Sequence, residues 1–351
     1  MADGRKRETG SLAPETRAMG GQAVLEGVMM RGPRSWAVSV RKADGSIETK
    51  VESVADRSER YRSIPLVRGV ASLVESLSLG YRALHWSANQ QLEAELAAEA
   101  EARAAVDPAT LSARARRKHE QAVASPPQLM SEKAVGGTMV VALVFFAAIF
   151  LVLPALVGKG IHRYVDFVPF QVGEAVVRIG FFVGYIKLIS MMKEIRRVFE
   201  YHGAEHKAIA AYENGVELTP EAAAQFSTAH VRCGTNFLLT VMVVAIITYS
   251  MVPTPNLAAI VASRVVLIPV IAGLSFELIR QAAKRMDRRW VRTLMVPGLQ
   301  LQRLTTREPA LDQLEVAIAS LLACMTVEQR AEVDRRRGIR APVVRPAFGM
   351  A

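Results

Sequence analysis

Apolar positions fall into three patterns along the chain. Four stretches stay apolar long enough to cross a hydrocarbon layer of about 30 Å, which takes roughly 20 helical residues. They are 136–158 (GGTMVVALVFFAAIFLVLPALVG), 173–192, 235–252 and 257–279. The first and third carry no charge, whereas the second contains the basic residues Arg178 and Lys187 and the fourth the basic residue Arg264. Long charged side chains near helix ends reach the interface along their own stems, so all four are expected to span. The fold class that follows is mainly α: a polytopic helical membrane protein of about four spans, with a small N-terminal β-hairpin region and cytoplasmic helices.

Ahead of the spans the period changes to two. SWAVSVRKADGSIETKVESV (35–54) alternates apolar and polar residues on either side of Asp44-Gly45, which predicts a hairpin with a tight turn. QAVLEGVMMRG just before it is expected to add a third strand. From Leu66 the period becomes helical: Val67, Val70, Leu73, Val74, Leu77, Tyr81 and Leu84 recur at three and four, interrupted by Arg68, Glu75 and Arg82. That is an amphipathic helix, suited to lying on the bilayer or covering the cytoplasmic ends of the spans. Residues 90–133 are rich in Ala, Glu and Arg and form a charged helical spacer ending at Pro126-Pro127. After the last span, Pro309 opens a second amphipathic helix with Leu311, Leu314, Ile318, Leu321 and Leu322 on one side, and Thr326 with Gln329 predicts a capping box. The expected organisation is a disordered segment 1–18, a β-rich cytoplasmic region 19–65, the amphipathic helix and spacer 66–133, a four-span domain 134–279 with a cytoplasmic loop 193–233, a helical region 280–334 and a disordered tail 335–351.

Charge orients this arrangement. The loop 193–233 holds Lys193, Arg196, Arg197, Lys207 and Arg232, and Lys284, Arg285, Arg288, Arg289 and Arg292 follow the fourth span, whereas the corner PTPN (253–256) has no basic residue. Basic residues stay on the cytoplasmic side, so the loop and both termini are placed there; Lys159 and Arg163 on the opposite side weaken the asymmetry without reversing it. Across 351 residues a hydrophobic fraction of 51% coexists with 22% charge and a net charge of +11, which matches the anionic cytoplasmic face of a bilayer. Two cysteines in the whole chain exclude a disulfide framework and fit a reducing compartment. The N-terminus lacks the apolar core of a secretory signal peptide.

The candidate chemistry lies in YHGAEHKAIAAYENG (201–215). His202 and His206 are one helical turn apart and Glu205 shares their sector. This H-x-x-E-H order is the mirror of H-E-x-x-H, in which two histidines hold zinc and the glutamate is the general base. The expected cofactor is therefore a divalent metal, zinc before others, with His202 and His206 as ligands and Glu205 as catalytic base. A third ligand is required, and His230, Cys233 and Glu277 are the candidates. The same residues also read as a hydrated helix face continuing out of the second span, with His230 interfacial, Cys233 a packing residue and Glu277 paired with Arg280 or Arg264. Glu26 in GGQAVLEGVMMRGP is a further candidate, with Arg31 as its expected ion-pair partner. Gly20, Gly21, Gly27 and Gly32 imply close backbone approach, but no G-K-[ST] follows, so a phosphate loop is not supported.

The blocks GGQAVLEGVMMRGP, IPLVRG, YHGAEHKAIAAYENG, HVRCGTNF, GLSFELIR and PGLQLQRLTTREP together resemble the YqhQ-like family over roughly residues 19–320, the 90–133 spacer excepted. These are bacterial integral membrane proteins, often labelled predicted metal-dependent enzymes. The resemblance implies a bacterial cytoplasmic membrane, and its members' frequent placement beside translation genes implies a partner such as the ribosome.

Two functions follow as expectations. One is a metal-dependent hydrolase at the cytoplasmic face of the membrane, acting on an amide or ester. The other is a non-catalytic membrane scaffold whose basic surface recruits a cytoplasmic protein or the ribosome. Sequence-specific nucleic-acid binding is not expected, because few aromatics interleave with the basic run. A transport pathway lined by Arg178, Lys187 and Arg264 would call for a broken-helix repeat, and the sequence has no internal repeat.

Overall fold

The computed structural model describes residues 19–54, 61, 63–105, 112, 132–164, 170–230, 233–252, 256–285 and 288–338. The terminal segments before residue 19 and after 338, most of the spacer beyond 105 and the corner 253–255 lie outside them. The described residues are mainly helical, with a small N-terminal sheet. The helices are α1 (Val67–Ala104), α2 (Glu132–Ala147), α3 (Leu153–Tyr164), α4 (Phe170–Ile189), α5 (Lys193–Glu213), α6 (Pro220–Ala224), α7 (Gly234–Ser250), α8 (Leu257–Val266), α9 (Ile268–Ala283), α10 (Arg289–Thr305), α11 (Leu311–Ala323) and α12 (Val327–Asp334).

The sheet is an antiparallel meander of β1 (Gly20–Val24), β2 (Gly27–Arg31), β3 (Ser35–Arg41) and β4 (Ile47–Ser53), paired in chain order. β3 and β4 form the expected hairpin, with Arg41 opposite Ile47 and Gly45 at φ 84°. The segment expected to supply one more strand supplies two. It turns at Leu25-Glu26, and Glu26 takes φ 52°, a left-handed conformation that usually goes to Gly or Asn, so the turn carries no ordinary sequence signal. Gly27 follows because a Cβ there would lie 2.1 Å from the Ser39 carbonyl oxygen.

Both faces of the sheet are covered. Val24, Met29, Trp36, Val38 and Val40 pack on Leu79 and Ala83 of α1. On the other face Val28, Met30 and Ala37 join Tyr201, Ala204 and Ala208 of α5 and Leu314, Ala317 and Leu321 of α11 in the largest core. Each fully buried large apolar side chain contributes about 1.5–3 kcal/mol. The sheet thereby becomes a rigid support for one side of the histidine helix.

Among the described helices only Gly136–Gly160 is long and apolar enough on its own to cross a bilayer. It runs through α2 and α3 with a π-helical turn at Ala148–Val152, where the Leu153 N–H donates to Ala148; Pro154, lacking an N–H, disrupts the regular ladder there. The second expected span ends at Ile189, and the chain bends by 98° into α5. The histidine helix therefore does not continue the span; it turns against the sheet. The fourth expected span is broken into α8 and α9, bent by 43°, with Pro269 in the first turn of α9. α7, at 17 residues, is apolar but shorter than a full crossing.

The charges in these segments differ from expectation as well. Arg178 and Arg264 are buried rather than extended to an interface. Both bind Glu174: Arg264 through contacts of 2.6 and 3.2 Å, and Arg178 by an i,i+4 pair. Arg264 also stacks 4.0 Å over the Tyr249 ring, so α4, α7 and α8 are tied together by one carboxylate. Burying a charge requires a partner, and Glu174 is that partner. These arginines belong to one buried ion network with Glu174.

Candidate metal centre

α5 brings His202 and His206 onto one face, and its surroundings decide which nitrogen each presents. His202 Nδ1 donates to the Thr305 carbonyl at 2.8 Å, and His206 Nδ1 donates to the Thr228 carbonyl. A carbonyl only accepts, so both Nδ1 atoms carry the proton and both Nε2 atoms keep a free lone pair. Such outer partners fix ring orientation and tautomer in metal sites. Cys233, the N-cap of α7, sits with its Sγ 3.3 Å from His202 Nε2. One ligand atom from each of His202, His206 and Cys233 lies within 4.8 Å of the others. Two imidazoles and a thiol form a donor set that suits zinc.

The carbonyl clamps depend on small residues. The chain around Arg307 crosses α5 at Gly203, where a Cβ would lie 2.0 Å from the Arg307 carbonyl oxygen, and the Arg307 N–H donates to the Phe199 carbonyl at 2.9 Å. Lys207 is buried and donates to the Ala224 carbonyl at 2.7 Å and to Glu308, fixing the same crossing from the other side. Gly203→Ala should therefore destabilise the protein by about 1–3 kcal/mol, the usual cost of overpacking, although Ala is the better helix former by about 1 kcal/mol. Thermal melting reads the sign: a variant as stable as the wild type would mean that the crossing is not tight.

Burial sets the electrostatics of the group. His206 is pushed down to about 3 by desolvation, with His202 beside it adding to the shift, and His202 is lowered by desolvation too. Both rings are therefore neutral, the form that binds a metal. The Cys233 thiol is raised to about 11 by burial, so a cation must displace its proton. Glu205, fully enclosed, is raised to about 8 by desolvation, opposed by a hydrogen bond from the Gly21 N–H. Gly21 permits that approach, since a Cβ there would come within 3.1 Å of the Glu205 carboxyl carbon. His202 alone of the three keeps part of its surface accessible.

The structure sorts the expected residues. His202, His206 and Cys233 converge, while Glu205, on the same helix as the two histidines, is buried and meets the Gly21 backbone. Glu205 and His206 are buried and His202 is half-buried, so this is not the hydrated face of the alternative reading, whereas Cys233 is buried as that reading expected of a packing residue. His230 stands next to the group, its ring centroid 5.6 Å from that of His206, but its Nε2 turns to Glu213 at 3.4 Å, and Gln302 clamps its backbone through two 2.9 Å hydrogen bonds. Glu277 is held by Arg68 of α1 through two 2.6 Å contacts and pairs with neither Arg280 nor Arg264. Glu26 pairs with Arg197 and accepts from Tyr201 at 3.3 Å, while Arg31, its expected partner, binds Glu75 at 2.7 Å. Sequence reasoning missed Thr228, Gln302 and Thr305, and named Gly21 only for close backbone approach, which it makes to Glu205. Thr228 and Thr305 act through backbone atoms, which leave no side-chain signature, and only the block LQRLTTREP marked the neighbourhood of Thr305.

Comparison with known proteins gives two matches. Residues 64–327 match the family described as a protein of unknown function (DUF1385). The chain is also 33% identical over 325 residues to "Uncharacterized protein YqhQ" of Bacillus subtilis (strain 168), covering 91% of this chain and 96% of that one. No solved structure matches. The helices that carry the histidines, the cysteine cap and the carbonyl clamps all fall within the matched region, and the chain belongs to this YqhQ-like DUF1385 family.

Proposed function

We propose that the chain is a bilayer-embedded, metal-dependent hydrolase whose centre, held by His202, His206 and Cys233, works at the cytoplasmic face with Glu205 as general base. One observation carries this reading: two carbonyl-locked imidazoles and a thiol converge against the helix that also bears the buried carboxyl of Glu205, next to His206 in sequence. A zinc ion held there supplies Lewis acidity toward water and a carbonyl oxygen. Glu205 accepts the proton of the attacking water, and its raised affinity for protons brings it close to the neutral range where a general base works best. The Gly21 N–H keeps the carboxyl oriented while the proton moves. Hydrolysis of an amide or ester is the reaction class this arrangement supports.

The bilayer part of the reading is supported by what α2 and α4 leave uncovered. Val141 is 70% exposed, Phe145 67% and Leu188 66%, and contiguous apolar surface of this kind needs an apolar surrounding. The Lys/Arg asymmetry supports an orientation with Asn214, at the end of α5, inside and Asn256, at the start of α8, outside. A cysteine introduced at Asn256 should react with a membrane-impermeant maleimide in intact cells, while one at Asn214 should not; both native cysteines are buried and give little background. Labelling at Asn214 would put the centre on the wrong side of the membrane.

A further inference from the structure

α10 has two different halves. Its C-terminal half buries Gly298, Leu301, Gln302 and Thr305, and through Gln302 and Thr305 it holds His230 and His202. Its N-terminal half buries Val291 and leaves another side outward. Trp290 is 60% exposed and Leu294 67%, and at a spacing of four they share one stripe, which the exposed Pro297 extends. Arg288 and Arg289 adjoin Trp290 in sequence, Arg292 follows on the same helix, Lys284 and Arg285 precede it in the chain, and all five are exposed. Over residues 284–292 the net charge is +4, five cations less Asp287. Lys284, Arg288 and Arg289 form no ion pair among the described residues.

We propose that this half of α10 is an in-plane docking surface for the anionic headgroups of phospholipids. Charge complementarity identifies the occupant, because a polybasic segment following a span attracts anionic lipid. The apolar stripe favours lipid over RNA. An exposed Trp and Leu flanked by arginines match the boundary between headgroups and acyl chains, whereas RNA offers nothing for the leucine to bury. α9 ends at Ala283, so the cations begin where its cytoplasmic end meets the interface. The inference rests on the bilayer reading given above and adds a lipid class to it. It also sets the metal centre about 22 Å along the helix from Trp290, at 1.5 Å per residue, with Pro297 and Gly298 between the two halves.

The test uses the full chain in nanodiscs of phosphatidylcholine with or without phosphatidylglycerol, comparing lipids brominated on one headgroup class at a time. The Trp290 signal is the difference between wild type and Trp290→Phe, since Trp36 and Trp86 remain in both. Bromo-phosphatidylglycerol should quench that signal at least about twofold more than bromo-phosphatidylcholine at equal mole fraction, in line with charge attraction. The excess should vanish in high salt and in the double variant Arg288→Glu, Arg289→Glu. Equal quenching by both lipids would overturn the proposal, as would a Trp290 that neither lipid quenches. Salt-sensitive ribosome co-sedimentation lost in the double variant, without any lipid preference, would reassign the surface to the ribosome. A chain that enters no nanodisc would refute the bilayer reading itself, a distinct failure.

Discussion

His206→Ala, purified without chelator, should contain less than about a tenth of the wild-type metal, because two remaining ligands fall short of the three that zinc sites require. Cys233→Ser should show a comparable loss, since a hydroxyl is a far poorer zinc ligand than a thiolate. The informative contrast is with the two other residues proposed from sequence as third ligands. His230→Ala should keep its metal, because His230 is directed to Glu213 and clamped through its backbone. Glu277→Ala should also keep its metal, because that carboxylate is engaged by Arg68. Elemental analysis of the four variants decides between the ligand sets. Metal lost from His230→Ala and retained in Cys233→Ser would replace Cys233 by His230.

Glu205→Gln separates binding from chemistry. The amide keeps the size of the carboxyl and leaves the three ligands in place, so metal should remain. It cannot take a proton, and turnover should fall by about 10² to 10⁴, the usual contribution of a general base; complementation of whatever phenotype deletion of the gene produces reports it. The metal-free protein should respond in the opposite direction. Its Glu205 titrates at about 8 when folded and at the ordinary 4.5 when unfolded, so the folded state holds the proton more tightly. Stability contributed by the protonated carboxyl is complete below pH 4.5 and is lost as pH rises through 8. Glu205→Gln has no proton to lose, and at pH 8 its metal-free form should be more stable than wild type by a few kcal/mol, with the difference disappearing in acid. Melting of both proteins across this range checks it, and equal slopes would mean that Glu205 is not buried as a neutral acid.

Periodicity made much of this molecule legible. The hairpin at Asp44-Gly45, the amphipathic helix from Val67 and the capping box at Thr326 all follow local rules, and their partners are close in sequence. What escaped were features set by distant contacts. The Leu25-Glu26 turn was hidden because Glu26 adopts left-handed backbone without Gly or Asn. The bends at 190–192 and 267 were hidden because hydropathy records apolar length and ignores direction, so a straight span and a bent pair score alike. Arg178 and Arg264 looked like residues reaching for an interface until Glu174 appeared between them. The histidine pair itself was visible from its spacing, and Cys233 could be named only as one of three candidates. The choice among them depends on which nitrogens the Thr228 and Thr305 carbonyls leave free, and no side-chain pattern encodes that.

The most direct test of the account is X-ray absorption at the zinc edge of the whole chain, purified without chelator. The ligand set predicts one sulfur at about 2.3 Å with nitrogen at about 2.0–2.1 Å in the first shell, and loss of the sulfur contribution in Cys233→Ser. A protein with no stoichiometric transition metal, or a first shell of nitrogen and oxygen alone, would contradict the centre formed by His202, His206 and Cys233.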